Sequence, residues 1–137
     1  MINKNRILEH IWSEHGGKMA EKEGLPLDAI QSDLEGGRIV LLANPNHDGV
    51  QPVLIGQPTE IKVNANIGTS PFLNDPDLEV SKAVTAHQAG AHTVMDLSTG
   101  GDLDNIRQRI LHATPLPLGT VPLYSAAQKY ISMGQDP

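Results

Sequence analysis

Three residues of different chemistry recur at one interval along the chain. Asn66, Met95 and Tyr124 lie 29 residues apart, each at or just past the carboxyl end of a segment that is predicted to form a β-strand. An amide donates and accepts hydrogen bonds, a thioether fills irregular apolar gaps, and a phenol joins an apolar ring to a polar hydroxyl. We therefore interpret these side chains as candidates for contacting one small ligand.

A repeating pattern of strand, loop and helix places these residues. The predicted strands are Ile61–Ile67, His92–Leu97 and Leu116–Val121, and the predicted helices are Pro76 to Ala89 with Asp75 as cap and Gly90 past the end, Asp102 to His112, and Ala126 to Met133. A repeat of about 30 residues is typical of right-handed βαβ units in a parallel sheet. Ligands bind at the carboxyl ends of parallel strands in (β/α)8 barrels and in doubly wound sheets alike. The spacing favours a barrel modestly over a flavodoxin-like sheet.

The beginning of the chain has a different pattern. It predicts helices at 4–15, Met19–Glu23 and Ala29–Leu34 with Asp28 as cap, then strands at Arg38–Ala43 and Val53–Ile55. We predict an α+β extension over residues 1–58 and three βα units over 59–137. Three parallel strands cannot close a barrel and would keep exposed edges, so we expect a truncated α/β barrel.

Composition limits the classes of function. The net charge is −6 and the ten Lys and Arg are scattered, which disfavours nucleic-acid binding. No apolar run reaches the length of a membrane span and no signal peptide is evident, so we expect a cytoplasmic protein. The absence of cysteine excludes disulfides, cysteine nucleophiles and cysteine-ligated clusters within these 137 residues.

Two other patterns could carry chemistry, and we interpret both as structural. The turn Ser98–Asp102 precedes a helix, as anion-binding loops do, but Asp102 would repel a phosphate, so Thr99 or Asp102 is interpreted as a helix cap. Asp96 alternates to the strand face opposite Met95 and is predicted to bond a neighbouring loop.

The histidines predict no metal site. The pairs His10/His15 and His87/His92 are five residues apart, which does not stack them on one helix face. His47 lies in a turn-rich segment and is predicted to order that turn.

Three segments resemble one family in their order and spacing. They are Lys62–Ser70 (KVNANIGTS), Thr93–Asp102 (TVMDLSTGGD) and Leu118–Tyr124 (LGTVPLY). Together they are similar to the phosphomethylpyrimidine synthase family of thiamine biosynthesis, ThiC, whose members are radical-SAM lyases. The earlier stretches Ala20–Gly24, Gly37–Val40 and Asn44–His47 resemble the amino-terminal region of that family.

The resemblance implies a (β/α)8 barrel that converts 5-aminoimidazole ribotide to hydroxymethylpyrimidine phosphate. It implies substrate contacts for Asn66, Met95 and Tyr124. It also implies S-adenosylmethionine, a [4Fe–4S] cluster on three cysteines and a zinc ion on two histidines, with all those ligands in a later part of the polypeptide. The expected partners are that remainder of the polypeptide and, for the complete enzyme, a second subunit. This chain alone is expected to be inactive.

Two alternatives stay open from the sequence. The family continues after its tyrosine with Gln-Ala, whereas this chain has Ser125-Ala126, which keeps the related 5-hydroxybenzimidazole synthases as candidates. A non-catalytic, standalone ribotide-binding or subunit-interaction module is the other.

Overall fold

The computed structural model describes residues 5–133, so the predicted helix start at residue 4 lies outside the described part. The described residues divide into two compact units, one up to Lys62 and one from Val63. The elements are α1 Arg6–Glu23, α2 Leu27–Glu35, β1 Val40–Leu42, β2 Val53–Ile55, β3 Asn64–Ile67, α3 Pro76–Gln88, β4 Thr93–Asp96, α4 Leu103–Ala113, β5 Leu118–Thr120 and α5 Pro122–Ser132. The predicted α/β class is confirmed. None of the helices in residues 5–133 is long and apolar enough to cross a membrane.

The first unit combines two helices with a two-stranded antiparallel sheet, in which Leu41 of β1 lies opposite Leu54 of β2. Its apolar core comes from both helices, from the sheet and from the residue before the sheet: Met19, Ala20, Ile30, Leu34, Ile39 and Leu54. An ion pair with little solvent exposure ties the last residue of the unit to the end of α1, since Lys62 Nζ lies 2.8 Å from Glu23 Oε1.

The prediction of separate helices at 4–15 and Met19–Glu23 is wrong, because α1 runs unbroken through Gly16 and Gly17. A glycine inside a helix costs about 1 kcal/mol relative to alanine. At Gly16 the missing side chain makes room for the Trp12 ring, since a Cβ there would lie 3.0 Å from Trp12 Cδ2. We attribute the continuity of the helix to this packing.

The predicted cap of α2 is also wrong. The helix begins at Leu27, directly after Pro26, which places Asp28 inside its first turn. There Asp28 Oδ1 accepts a hydrogen bond from the adjacent Ala29 amide at 3.0 Å. An acid in the first turn still interacts favourably with the helix dipole.

The second unit is a three-stranded parallel sheet with the order β3-β4-β5. Its apolar core comes from the sheet, from helices α3 and α4 and from the segment between α4 and β5: Ile67, Ala83, Val94, Ile106, Ile110 and Leu116. The predicted caps are confirmed, since Asp75 Oδ1 accepts from Leu78 N and Asp102 Oδ1 accepts from Asn105 N, both at 3.0 Å. Gly90, at φ 86°, follows α3 as predicted.

The last described helix begins four residues earlier than predicted. Helix α5 starts at Pro122 rather than Ala126, because proline fits the first helical position, where no intrahelical N–H bond is needed. None of residues 122–131 is buried.

The assigned core of the second unit can be tested with Ile106→Ala. Ile106 is 1% exposed between α4 and the sheet, so we expect the free energy of unfolding to fall by about 2–5 kcal/mol in urea denaturation. Leu123→Ala, at a position that is 71% exposed, is the matched control and should change stability little. Equal losses in the two variants would contradict this core.

Candidate functional site

One face of the parallel sheet is not covered by the helices that bury the other face. The register sets Asn66 beside Met95, and Met95 beside Gly119. Asn66 is exposed and Met95 is half-buried. Because side chains alternate along a strand, the neighbours Ile67 and Val94 point to the core instead. The three residues therefore form a row across the outer face of the sheet.

A short chain of polar side chains fixes the amide of Asn66. Thr93 Oγ1 donates to Asn64 Oδ1 at 2.7 Å, and Asn64 Nδ2 donates to Asn66 Oδ1 at 2.9 Å. Within residues 5–133, Nδ2 of Asn66 has no hydrogen-bond acceptor. The arrangement thus holds the amide in one orientation and presents its nitrogen as a donor on the exposed face.

Tyr124 lies outside this row. It belongs to the first turn of α5, four residues past the end of β5, and is 38% exposed. The sheet register therefore brings two of the three predicted ligand contacts together and leaves the third on a helix. The position of Tyr124 relative to Met95 depends on how α5 is attached.

Beneath the row, the end of β4 holds a fully buried carboxylate. Asp96 Oδ1 accepts from Ser98 N at 3.0 Å and also from the Ser98 hydroxyl. Asp96 Oδ2 accepts from Arg107 Nε of α4 at 2.9 Å. The prediction that Asp96 faces away from Met95 and bonds a loop is confirmed.

Arg107 extends this network to the last helix. Its Nη1 donates to Ser125 Oγ of α5 at 2.7 Å, while its side chain is only 14% exposed. Its Nη2 is buried without a hydrogen-bond partner in the described part of the chain. One guanidinium therefore joins Asp96, the neighbour of Met95, to Ser125, the neighbour of Tyr124.

A second buried carboxylate holds the loop after β3. Glu79 of α3 is 1% exposed, and its Oε2 accepts from Gly68 N at 2.7 Å. Its other oxygen accepts from Lys82 Nζ at 2.7 Å. Gly68 is two residues past Asn66, so this bond fixes the chain where it leaves the candidate site.

The loops after β3 and β4 are bonded to each other. Thr69 N donates to Ser98 Oγ at 3.0 Å, and Thr69 Oγ1 donates to Gly100 O at 2.6 Å. The backbones approach closely, because a Cβ on Gly100 would lie 2.6 Å from the Ser70 carbonyl carbon. This contact, together with the Asp102 cap, supports the structural interpretation of Ser98–Asp102.

Glu79 and Arg107 were not predicted from the sequence. The sequence does contain an indication of their burial, because each of the two charged residues lies at helical spacing from buried apolar residues of its helix. Glu79 precedes the buried Ala83 by four residues, and Arg107 follows the buried Leu103 by four. A charge on the buried side of a helix must find a partner there, although sequence alone does not name that partner.

The histidines are scattered. His92 Nδ1 accepts from Val63 N at 3.0 Å, and His47 lies in a turn closed by backbone bonds to Asn44 and Val50, as predicted. His10, His15 and His47 line a cleft of about 560 Å³ in the first unit. No group of three or more His, Cys, Asp or Glu in residues 5–133 is arranged to hold a metal ion.

The second unit defines an α/β protein of βα units with a candidate ligand-binding face on a parallel sheet. Comparison with known proteins identifies the family. The sequence profile of the Radical SAM ThiC family matches residues 5–137, and the chain belongs to this family.

Similar proteins from several archaea carry the name phosphomethylpyrimidine synthase. The chain is 50% identical to the Methanopyrus kandleri protein over 119 residues, 46% to that of Thermococcus kodakarensis over 117, and 44% to that of Pyrococcus furiosus over 123. These matches cover 85–90% of the chain and 27–29% of the relatives. The chain thus spans less than a third of their length.

Radical SAM membership implies S-adenosylmethionine and an iron–sulfur cluster. Protein thiolates hold such clusters, and the sequence has no cysteine, so the residues of this chain do not fit the cluster. No step of radical chemistry is therefore assigned to them.

Removal of the buried charge tests the network at the end of β4. Asp96→Asn leaves Arg107 without its anion, so we expect unfolding in urea to become easier by about 3–5 kcal/mol. Asp104→Asn is the matched control, because Asp104 lies 3.9 Å from the same guanidinium but is 94% exposed. Comparable stability of the two variants would show that the buried pair does not hold this region.

Proposed function

We propose that this chain forms the amino-terminal part of a phosphomethylpyrimidine synthase and supplies one side of its pocket for 5-aminoimidazole ribotide. The names of the relatives and the family membership support the class of activity. The row formed by Asn66 and Met95 carries the proposal for the site. It combines a pre-oriented amide donor and a half-buried thioether on one face of the sheet.

Each side chain has a distinct proposed role. The Asn66 amide nitrogen donates to a polar atom of the ribotide, such as a ribose hydroxyl. The Met95 thioether packs against the flat imidazole ring, for which a polarizable, flexible side chain is suited. The Tyr124 hydroxyl bonds the ribotide from the first turn of α5. All three bind and orient substrate.

The radical chemistry belongs elsewhere in the proposed enzyme. S-adenosylmethionine on a [4Fe–4S] cluster would supply the radical, with cysteine ligands from a part of the polypeptide that this sequence does not include, and zinc is proposed to bind there too. We also propose that β3, β4 and β5 are the first strands of a (β/α)8 barrel. The length of the relatives, more than three times the matched region, is compatible with such a barrel.

A chimera tests this function. The matched 119-residue segment of the Methanopyrus kandleri enzyme would be replaced by the corresponding part of this chain. We expect the reconstituted chimera to release hydroxymethylpyrimidine phosphate, detected by mass spectrometry. A benzimidazole product would instead assign the chain to the other branch of the family.

Single variants of the chimera test the binding roles. Asn66→Ala and Tyr124→Phe should each raise the KM for the ribotide about threefold to tenfold, as expected for one lost hydrogen bond. Asn105→Ala and Tyr130→Phe alter exposed residues of α4 and α5 and serve as matched controls. The proposed site is wrong if all four variants have the KM of the unmodified chimera.

A further inference from the structure

Helix α5 lacks the usual means of attachment. The other four helices each contribute buried residues to a core, whereas residues 122–131 of α5 contribute none. Directed polar bonds therefore contribute a larger share of the attachment of this helix than in the other helices. Side-chain hydrogen bonds join it to the rest of the unit: Arg107 Nη1 donates to Ser125 Oγ at 2.7 Å, and Gln128 Nε2 donates to Gly101 O at 2.8 Å.

The hydrogen bond from Arg107 to α5 has a fixed direction, because Asp96 also binds the same guanidinium. Asp96 is completely buried and accepts from Nε, which fixes the plane of the guanidinium. Nη1 then points at Ser125, in the first turn of α5. The end of β4 and the start of α5 are thus joined through one planar, nearly buried group.

A gain in folding stability does not by itself explain the buried Asp96–Arg107 pair. A buried ion pair is often no more stabilising than apolar residues of the same volume. The guanidinium also leaves Nη2 buried without a described partner, which adds a desolvation cost. What the pair does provide is a fixed geometry between two chain segments.

We propose that Arg107 is a positioning residue that sets Tyr124 relative to Met95. It acts through Ser125, which follows Tyr124, and through Asp96, which follows Met95. The inference rests on the proposed function for its consequence, because a fixed Tyr124 matters to catalysis only if both side chains contact the ribotide. The contacts of Arg107 with Asp96 and Ser125, which we call the clamp, belong to this chain and can be tested without substrate.

The first experiment measures the clamp in the 137-residue chain. Ser125→Ala removes the acceptor on α5 and leaves the Asp96–Arg107 pair intact. We expect backbone ¹⁵N order parameters at residues 123–126 to fall from the rigid range near 0.85 toward about 0.6. Ser125→Thr keeps a hydroxyl and should restore them, and Ser81→Ala on the exposed face of α3 is the matched control. Unchanged order at 123–126 in Ser125→Ala overturns the inference.

The second experiment asks whether the clamp serves the site. In the chimera, Ser125→Ala should raise the KM for the ribotide about threefold to tenfold, by analogy with loss of the Tyr124 hydrogen bond, and Ser125→Thr should reverse the change. A raised KM in Tyr124→Phe with an unaltered KM in Ser125→Ala overturns the positioning role while the proposed function stands. Unaltered KM in both Asn66→Ala and Tyr124→Phe overturns the proposed substrate site, and the order parameters then test only whether Arg107 holds the start of α5.

Discussion

A carboxylate that is buried at the end of a strand must have its lone pairs satisfied by the protein, since water cannot reach it. Asp96 meets this requirement with the amide and hydroxyl of Ser98 and with Arg107. The bonds to Ser98 fix the conformation of the loop after β4, and the bond to Arg107 places a cationic side chain of α4 against the sheet. Ser98 in turn accepts from Thr69, so the loop after β3 depends on the same carboxylate. The ordering of three chain segments thus follows from one desolvated charge.

The alternation of side chains along β4 makes this strand serve two purposes. Val94 and Asp96 point to the helices and belong to the core and its charged network, whereas Met95 points to the open face. A residue on the open face can change without altering the core directly. Changes at Asp96 are expected to affect both faces, because they alter the stability of the core and the adjacent Met95 together.

Several features that follow from residue type or from an equal sequence interval were predicted from the sequence. The caps at Asp75 and Asp102 follow from residue type and the next turn of helix, and the adjacency of Asn66 and Met95 follows from an equal interval in parallel strands. Features with a distant cause were missed. The partners of Arg107 lie 11 residues before it and 18 after it, and no periodic pattern encodes those pairs. The continuity of α1 was missed for a different reason, since the Trp12 ring packs where a side chain of Gly16 would lie and helix propensities do not include this contact.

Gly119 leaves a gap beside Met95, and the methionine occupies it. A Cβ at position 119 would lie 3.0 Å from both Cε and Sδ of Met95, closer than such atoms normally approach. Even alanine there would require the end of the Met95 side chain to shift by a few tenths of an ångström. The room available to the Met95 side chain on the open face is therefore limited by a residue that has no side chain of its own. Substitutions at this position would therefore act on the proposed site through the side chain of Met95.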